Sequence, residues 1–278
     1  EPFFGGGAMY FHLEHNNAVI NDINAPLMNF YRSVQQNFGA LSEELAGLEA
    51  IYNSNRAAFE AQKQLHPDER VEDANEPLYY HLRDMYNGLI PAEYSDAALY
   101  FYINKIAYSG MIRYNARGEF NVPYGRYKYF NTGMITEAHH NLLANTEIHN
   151  GDYGQIFNLA MPEDFIFLDP PYDCIFSDYG NEEYREGFNE ANHRQLAQDY
   201  FNLGCRALMV IGATPLTREL YGGHIITEYD KNAKVMLCST MMMFPNYQKM
   251  GKEAGAKAFL SKPFTDIEFM EELSKLFV

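Results

Sequence analysis

The sequence predicts a doubly wound α/β fold, and three observations carry that expectation. Short apolar runs that read as strands alternate with segments whose apolar residues recur at helical spacing. A glycine-rich turn near the start, Phe3-Phe4-Gly5-Gly6-Gly7, is followed by a strand candidate that ends in Asp22. An apolar run further on stops abruptly at Asp169-Pro170-Pro171-Tyr172, as a buried parallel strand does when it delivers a loop at its carboxyl end. With 278 residues, 47% apolar and 21% charged, the chain can bury one sizeable core or two modest ones, which excludes disordered, collagen-like and disulfide-scaffold classes.

The elements follow in order. A turn such as FFGGG normally follows a buried strand, and only Glu1 and Pro2 stand before it, so the sequence predicts that a leading segment is absent. Residues 18–23 read as a short strand. Residues 25–52 place Leu27, Phe30, Tyr31, Val34, Leu41, Leu45 and Leu48 at helical spacing and read as one helix. Residues 53–92 are polar and helical in character, interrupted by Pro67, Pro77 and Pro91, and 93–107 reads as an apolar, aromatic helix. In 108–130 the turn-forming stretch Asn115 to Gly118 lies between aromatic strands and predicts a β-hairpin, with a further turn at Gly125. After the strand that reaches Asp169 come a helix at 189–203, a strand at 206–213, a short helix at 215–221 and a strand at 224–229. The last 45 residues read as strand, helix, strand and helix.

Composition removes several classes of function. Cys174, Cys205 and Cys238 stand more than thirty residues apart and offer neither a CxxC pair nor a disulfide framework, which points to a reducing, cytoplasmic compartment. No apolar run approaches the ~20 residues that span a bilayer, and the opening lacks a basic segment with a cleavage site. The histidines show no metal-ligand spacing: His139 and His140 are adjacent, His193 and His224 isolated, and no metal is expected. A net charge of −16 argues against a uniformly nucleic-acid-binding surface. Locally the balance reverses. Residues 100–130 hold Lys105, Arg113, Arg117, Arg126 and Lys128 against Glu119 alone, a local +4 that leaves −20 on the remainder. Tyrosines and phenylalanines interleave these cations and suit sugars and unstacked bases, while arginine has the fork geometry to address guanine in the major groove.

Asp169-Pro170-Pro171-Tyr172 is the sharpest chemical signal. A carboxylate and a proline-fixed carbonyl can accept both hydrogens of an exocyclic amine and direct its lone pair toward an electrophile, and the tyrosine can stack on the base. Prolines donate no backbone N–H, so the loop presents acceptors only. Asp22 lies about 15 residues beyond the glycine turn, at a strand end, where an acidic residue accepts hydrogen bonds from ribose hydroxyls.

These residues together resemble the Dam-type DNA adenine-N6 methyltransferases, which use S-adenosylmethionine (SAM), and the resemblance runs from Glu1 to about Asn232. It implies a Rossmann-like α/β methyltransferase sheet carrying an inserted helical and β-hairpin target-recognition domain, divided as core at 1–49, recognition domain at 50–145, core again at 146–232 and a separate tail at 233–278. EPFFGGGA is similar to the family's cofactor motif, with Phe3 packing on SAM beside Gly5 and Gly7, and NDIN carries Asp22 as ribose ligand. Asp152-Tyr153 resembles the segment lining the adenine end of SAM, and Asp169, Pro170, Pro171 and Tyr172 form the catalytic loop, with Asp169 also facing the cofactor. Tyr108 to Lys128 aligns without gaps to the hairpin of GATC-specific members, which implies that Arg113 reads a base pair, that Met111, standing where leucine is usual, and Pro123 pack against bases, and that Asn115, Arg117, Arg126 and Lys128 contact DNA.

The implied partner is double-stranded DNA, with adenine swung out of the stack toward Tyr172. Family members carry, ahead of the glycine turn, a lysine and an aromatic residue that contact SAM, so the resemblance implies an incomplete cofactor site and weak SAM binding in residues 1–278. Past Asn232 the tail resembles the second half of a response-regulator receiver domain, including Ser239 and Lys262-Pro263-Phe264, without the half that would hold a phosphoacceptor aspartate. Two other functions fit parts of this pattern: methylation of another planar amine, in RNA adenine or protein glutamine, and a catalytically impaired DNA-binding remnant.

Overall fold

The computed structural model describes residues 1–173 and 188–226, together with the strand backbones at 236–238 and 258–260. Glu1–Gly222 forms one compact unit and Gly223–Val278 a second. The first unit opens with the glycine turn and a short helix α1 (Ala8–Leu13), which the sequence pattern did not disclose, and then strand β1 (Ala18–Asp22). Gly7 takes φ +62°, and a Cβ there would stand 2.4 Å from the Phe4 ring and 2.9 Å from Phe11, so only glycine fits.

The helix expected over 25–52 is two helices. Helix α2 (Ala25–Gln36) starts at Asn24, whose side chain accepts from the Leu27 amide, and buries Met28, Phe30, Tyr31 and Val34. The chain breaks at Asn37 and resumes as α3 (Phe38–Leu65), which runs well past the boundary read from periodicity. The split lets the two apolar stripes face the same core from different directions. Helix α4 (Asn75–Tyr86) follows, and α5 (Asp96–Ile106) starts on the Ser95 cap. All of Ala97 to Ile103 is buried in α5, which packs against α2, α3 and α4, as expected of a helix apolar on every side.

The expected hairpin over 108–130 is mostly irregular. It closes through isolated antiparallel bridges at Ala107–Tyr124 and Tyr114–Phe120, around a turn in which the Asn115 carbonyl accepts from Gly118. Its rigidity comes from the helices beneath: Tyr79 donates to the Val122 carbonyl at 2.8 Å, Tyr52 to the Tyr127 carbonyl at 2.6 Å, and Tyr124 to Asp73 at 3.1 Å.

Helix α6 (Glu137–Leu143), strand β2 (Thr146–Asn150) and helix α7 (Gly154–Leu159) come next and had no counterpart in the sequence reading. Strand β3 (Phe165–Leu168) leads into the Asp169 loop, and α8 (Glu190–Phe201), β4 (Arg206–Met209) and α9 (Pro215–Tyr221) complete the unit. The strands form parallel pairs rather than one continuous sheet among the described residues: β1 pairs with β2 from Ala18–Thr146 to Asp22–Asn150, and β3 with β4 from Phe165–Arg206 to Leu168–Met209. Glu1 continues the first pair, since its backbone nitrogen donates to Val19 and its carbonyl accepts from Asn21, the parallel register opposite Ile20. A cavity of about 390 Å³ is lined by residues of β1 and β3, with Tyr10, Ile20 and Phe167 in its wall.

In the second unit β5 (Met236–Cys238) pairs in parallel with β6 (Ala258–Leu260). The helices expected over 245–256 and 265–277, most of the strand at 224–229, Ser239 and Lys262-Pro263-Phe264 lie outside the described residues. Among the described residues no helix is long and apolar enough to cross a membrane.

Candidate active site

Two strand ends build the site. At the end of β1 the Asp22 carboxylate accepts the Gly5 amide at 2.8 Å through one oxygen and the Asn24 amide at 2.9 Å through the other. Burial pushes this carboxyl above its ordinary range, and the amides of Asn24, Gly5 and Ile23 pull it back part of the way. Gly5 takes φ +48°, its carbonyl accepts from the Tyr31 hydroxyl at 3.1 Å, and beyond both Gly5 and Gly6 the space is open. A turn held from behind and open in front is what a ligand's approach requires.

The neighbouring strand supplies the next wall. Asn21, buried within β1, donates its amide to the carbonyls of Pro2 and Gly151, and the Gly151 amide returns to the Asp22 carbonyl, so the loop after β2 is tied to the glycine turn. That loop carries Asp152, exposed and accepting from the Gly154 amide at the start of α7, and Tyr153, buried and donating to Asp199 at 2.7 Å. Phe3 packs on the Tyr153 ring at 5.2 Å between centroids and meets Phe188 edge-on at 6.1 Å. The structure thus brings Phe3, Gly5, Gly7, Asp22, Asp152 and Tyr153 into one neighbourhood. Phe188 and Asp199 belong to it as well and carried no local signal, since a single aromatic and a helix carboxylate gain their roles only from long-range packing.

The second strand end presents Asp169-Pro170-Pro171-Tyr172. Pro170 is buried, whereas Asp169 and Tyr172 reach solvent. Surrounding protein still desolvates the Asp169 carboxyl and raises its pKa, opposed by a hydrogen bond from Tyr172. The loop is braced from below: Thr214 donates to Asp173 at 2.8 Å and Thr217 to the Gly212 carbonyl at 2.7 Å, and Gly212 lies next to the Tyr172 side chain. Asp169 lies near enough to Glu1 that its charge helps raise the Glu1 carboxyl, with burial the larger cause. This places the Asp169 loop near the segment that leads into the glycine turn. Glu1 was not singled out from the sequence; its position immediately before Pro2-Phe3 was the only available sign.

The basic segment is a separate surface. Arg113, Arg117, Arg126 and Lys128 are exposed, whereas Lys105 is half-buried, and burial pushes its ammonium pKa down. Arg126, at φ +57°, pairs with Glu76 at 3.1 Å. Lys128 lies over the Tyr129 ring. Asn115 spends its side chain inside the turn, accepting from the amides of Arg117 and Glu119 and donating to the Glu119 carboxylate. Met111 packs half-buried against the core, and the Pro123 carbonyl takes the Tyr108 amide. Among the described residues no group of three or more His, Cys, Asp or Glu is placed to hold a metal ion.

Comparison with known proteins adds a family. Residues 1–236 match the D12 class N6 adenine-specific DNA methyltransferases. The type II methyltransferase M.CviBI of Paramecium bursaria Chlorella virus NC1A is 34% identical over 244 residues, covering 86% of this chain and 82% of that protein. The type II methyltransferase M.MjaIII of Methanocaldococcus jannaschii is 32% identical over 80% of this chain and 75% of its own length. The DNA adenine methylase of Haemophilus influenzae is 26% identical over 80% and 73% respectively.

Proposed function

The chain belongs to the D12 class of N6 adenine-specific DNA methyltransferases, and on that footing we propose that it uses SAM to methylate adenine N6 within a short site in double-stranded DNA, GATC being the site its hairpin residues favour. The observation that carries this reading is a pair of strand ends, one delivering Asp22 bonded to the glycine turn and the other presenting Asp169 in a loop whose two prolines donate no backbone N–H.

The residues present fit SAM. The open space before Gly5 and Gly6 admits a ligand close to backbone, and Asp22 keeps lone pairs for ribose hydroxyls. Phe3, Asp152 and Tyr153 wall the adenine end. When bound, SAM supplies an activated methyl group on a sulfonium. Asp169 and the Pro170 carbonyl accept the two hydrogens of the target amine and hold its lone pair toward that methyl, and Tyr172 stacks on the extruded base. Asp169 needs no role as a strong base, because orientation and electrostatic stabilisation of the developing ammonium suffice.

Residues 50–145 serve as the recognition part between core segments 1–49 and 146–232, with the receiver-like tail at 233–278 outside the catalytic work. Within the recognition part Arg113 reads a guanine, Met111 and Pro123 lie against bases, Arg117, Arg126 and Lys128 meet phosphates, and Asn115 shapes the turn that carries them. Sequencing DNA from cells that express the chain, read for N6-methyladenine and its context, tests the proposal. Modified adenine confined to GATC supports it in full; modification at another fixed site overturns the GATC reading, and unmodified DNA overturns methylation by this chain.

A further inference from the structure

Arg113 is exposed, yet its guanidinium is not free to wander. Its Nε donates to the Asn121 side-chain oxygen at 2.8 Å and its Nη2 to the Asn121 backbone carbonyl at 3.3 Å. The Asn121 amide in turn donates to the Arg113 carbonyl at 3.0 Å, so the two residues are cross-strand partners through backbone and side chain alike. A single residue thus occupies the edge of the guanidinium that carries Nε and one N–H of Nη2. The end formed by Nη1 and the second N–H of Nη2 is left for another acceptor pair, and two parallel N–H groups of that kind match O6 and N7 of guanine.

Asn121 is itself held from below. Its neighbours Phe120 and Val122 are fully buried. Asn87, just past α4, clamps Phe120 by accepting its amide at 2.8 Å and donating to its carbonyl at 3.0 Å. Tyr79 and Arg83 of α4 both donate to the Val122 carbonyl. A rigid path therefore leads from α4 through the 120–122 segment to the Asn121 amide and on to Arg113. An exposed arginine ordinarily surrenders rotamer freedom when it binds, and a side chain fixed beforehand in the binding orientation loses less.

We infer that Asn121 is a positioning residue for sequence recognition: by occupying one edge of the Arg113 guanidinium it turns the other toward the base, and so sets selectivity at one base pair. This rests on the reading of Arg113 as a base reader, and the two can be told apart. Selection of the full chain, and of variants, on a duplex pool with a randomised centre, followed by sequencing, reports preference position by position without assuming the site. Arg113→Ala is expected to flatten one position. Asn121→Ala is expected to weaken the same position, and no other, by about threefold to tenfold, a part of what a bidentate pair contributes. Asn121→Asp, which keeps the acceptor for Nε, should retain that preference even where its added negative charge lowers affinity on every sequence. Adding Asn121→Ala to Arg113→Ala should change the profile no further.

If Arg113→Ala flattens a position and Asn121→Ala leaves it intact, the inference is overturned while the reader role stands. Uniformly weaker binding by Asn121→Ala on all sequences overturns it too, and assigns Asn121 to the phosphate backbone. An unchanged profile in Arg113→Ala overturns the reader role itself, and the inference with it.

Discussion

The Gly5 amide donates to the Asp22 carboxylate across 2.8 Å, joining residues seventeen positions apart in the chain. One bond therefore fixes both the curvature of the glycine turn and the aim of the acid at the end of β1. Removing the acid should act twice, through the lost ligand contact and through the released turn. Asp22→Ala is expected to raise the dissociation constant for SAM about tenfold to a hundredfold, the scale of hydrogen bonds to a charged group. Calorimetric titration against the parent chain measures it, and equal affinity would remove Asp22 from the cofactor site.

Asp169→Ala should separate binding from chemistry. It deletes an acceptor for the target amine and leaves the glycine turn, Asp22 and Tyr153 in place, so methyl transfer should disappear while SAM affinity changes little. Loss of both to the same extent would show that the loop holds the cofactor rather than the amine.

The pH dependence follows from the same residue. Burial raises the Asp169 carboxyl above its ordinary 3.8, so this group favours the fold below 3.8 and withdraws that contribution as pH rises through its higher folded value. Its ionised form therefore costs stability, and its contact with solvent keeps that cost small. Asp169→Asn should therefore melt at a higher temperature than the parent at pH 7, with the gain shrinking toward pH 3. A lower melting temperature at pH 7 would contradict the assigned burial. Transfer should conversely rise with pH through the raised value, since the ionised carboxylate is the better acceptor.

Gly7→Ala should destabilise the first unit by about 1–3 kcal/mol, the scale for a non-glycine residue forced to positive φ. The clash with the rigid Phe4 ring adds to that strain. Chemical denaturation reads it, and a neutral substitution would mean that the turn relaxes at no cost.

Arg126 must leave Glu76 before it can reach a phosphate. Exposed ion pairs contribute only about 0–1 kcal/mol, so Glu76→Gln should tighten binding to any duplex by a factor of about two to five at low salt. Lys128→Ala should weaken all sequences alike, by about one unit of salt slope. A change in sequence preference for either variant would place these residues at base edges.

What the sequence determined by itself is the local chemistry. The glycine turn, the strand stop at Asp169 and the helix at 215–221 obey rules that act over a few residues, and all three stand where the pattern placed them. Tertiary structure decided the rest. The break at Asn37, the length of α3 and the short helices α1, α6 and α7 depend on which stripe finds a core, and apolar spacing cannot state that alone. β2 was invisible because its residues, TEIHN, are mostly polar, and it is a strand only because β1 lies alongside in register. The hold of Asn121 on Arg113 and the packing of Phe3 on Tyr153 likewise join residues whose sequence neighbours say nothing of the pairing. Short-range sterics are written in composition and spacing, whereas long-range contacts exist only after chain entropy has been overcome by burial elsewhere.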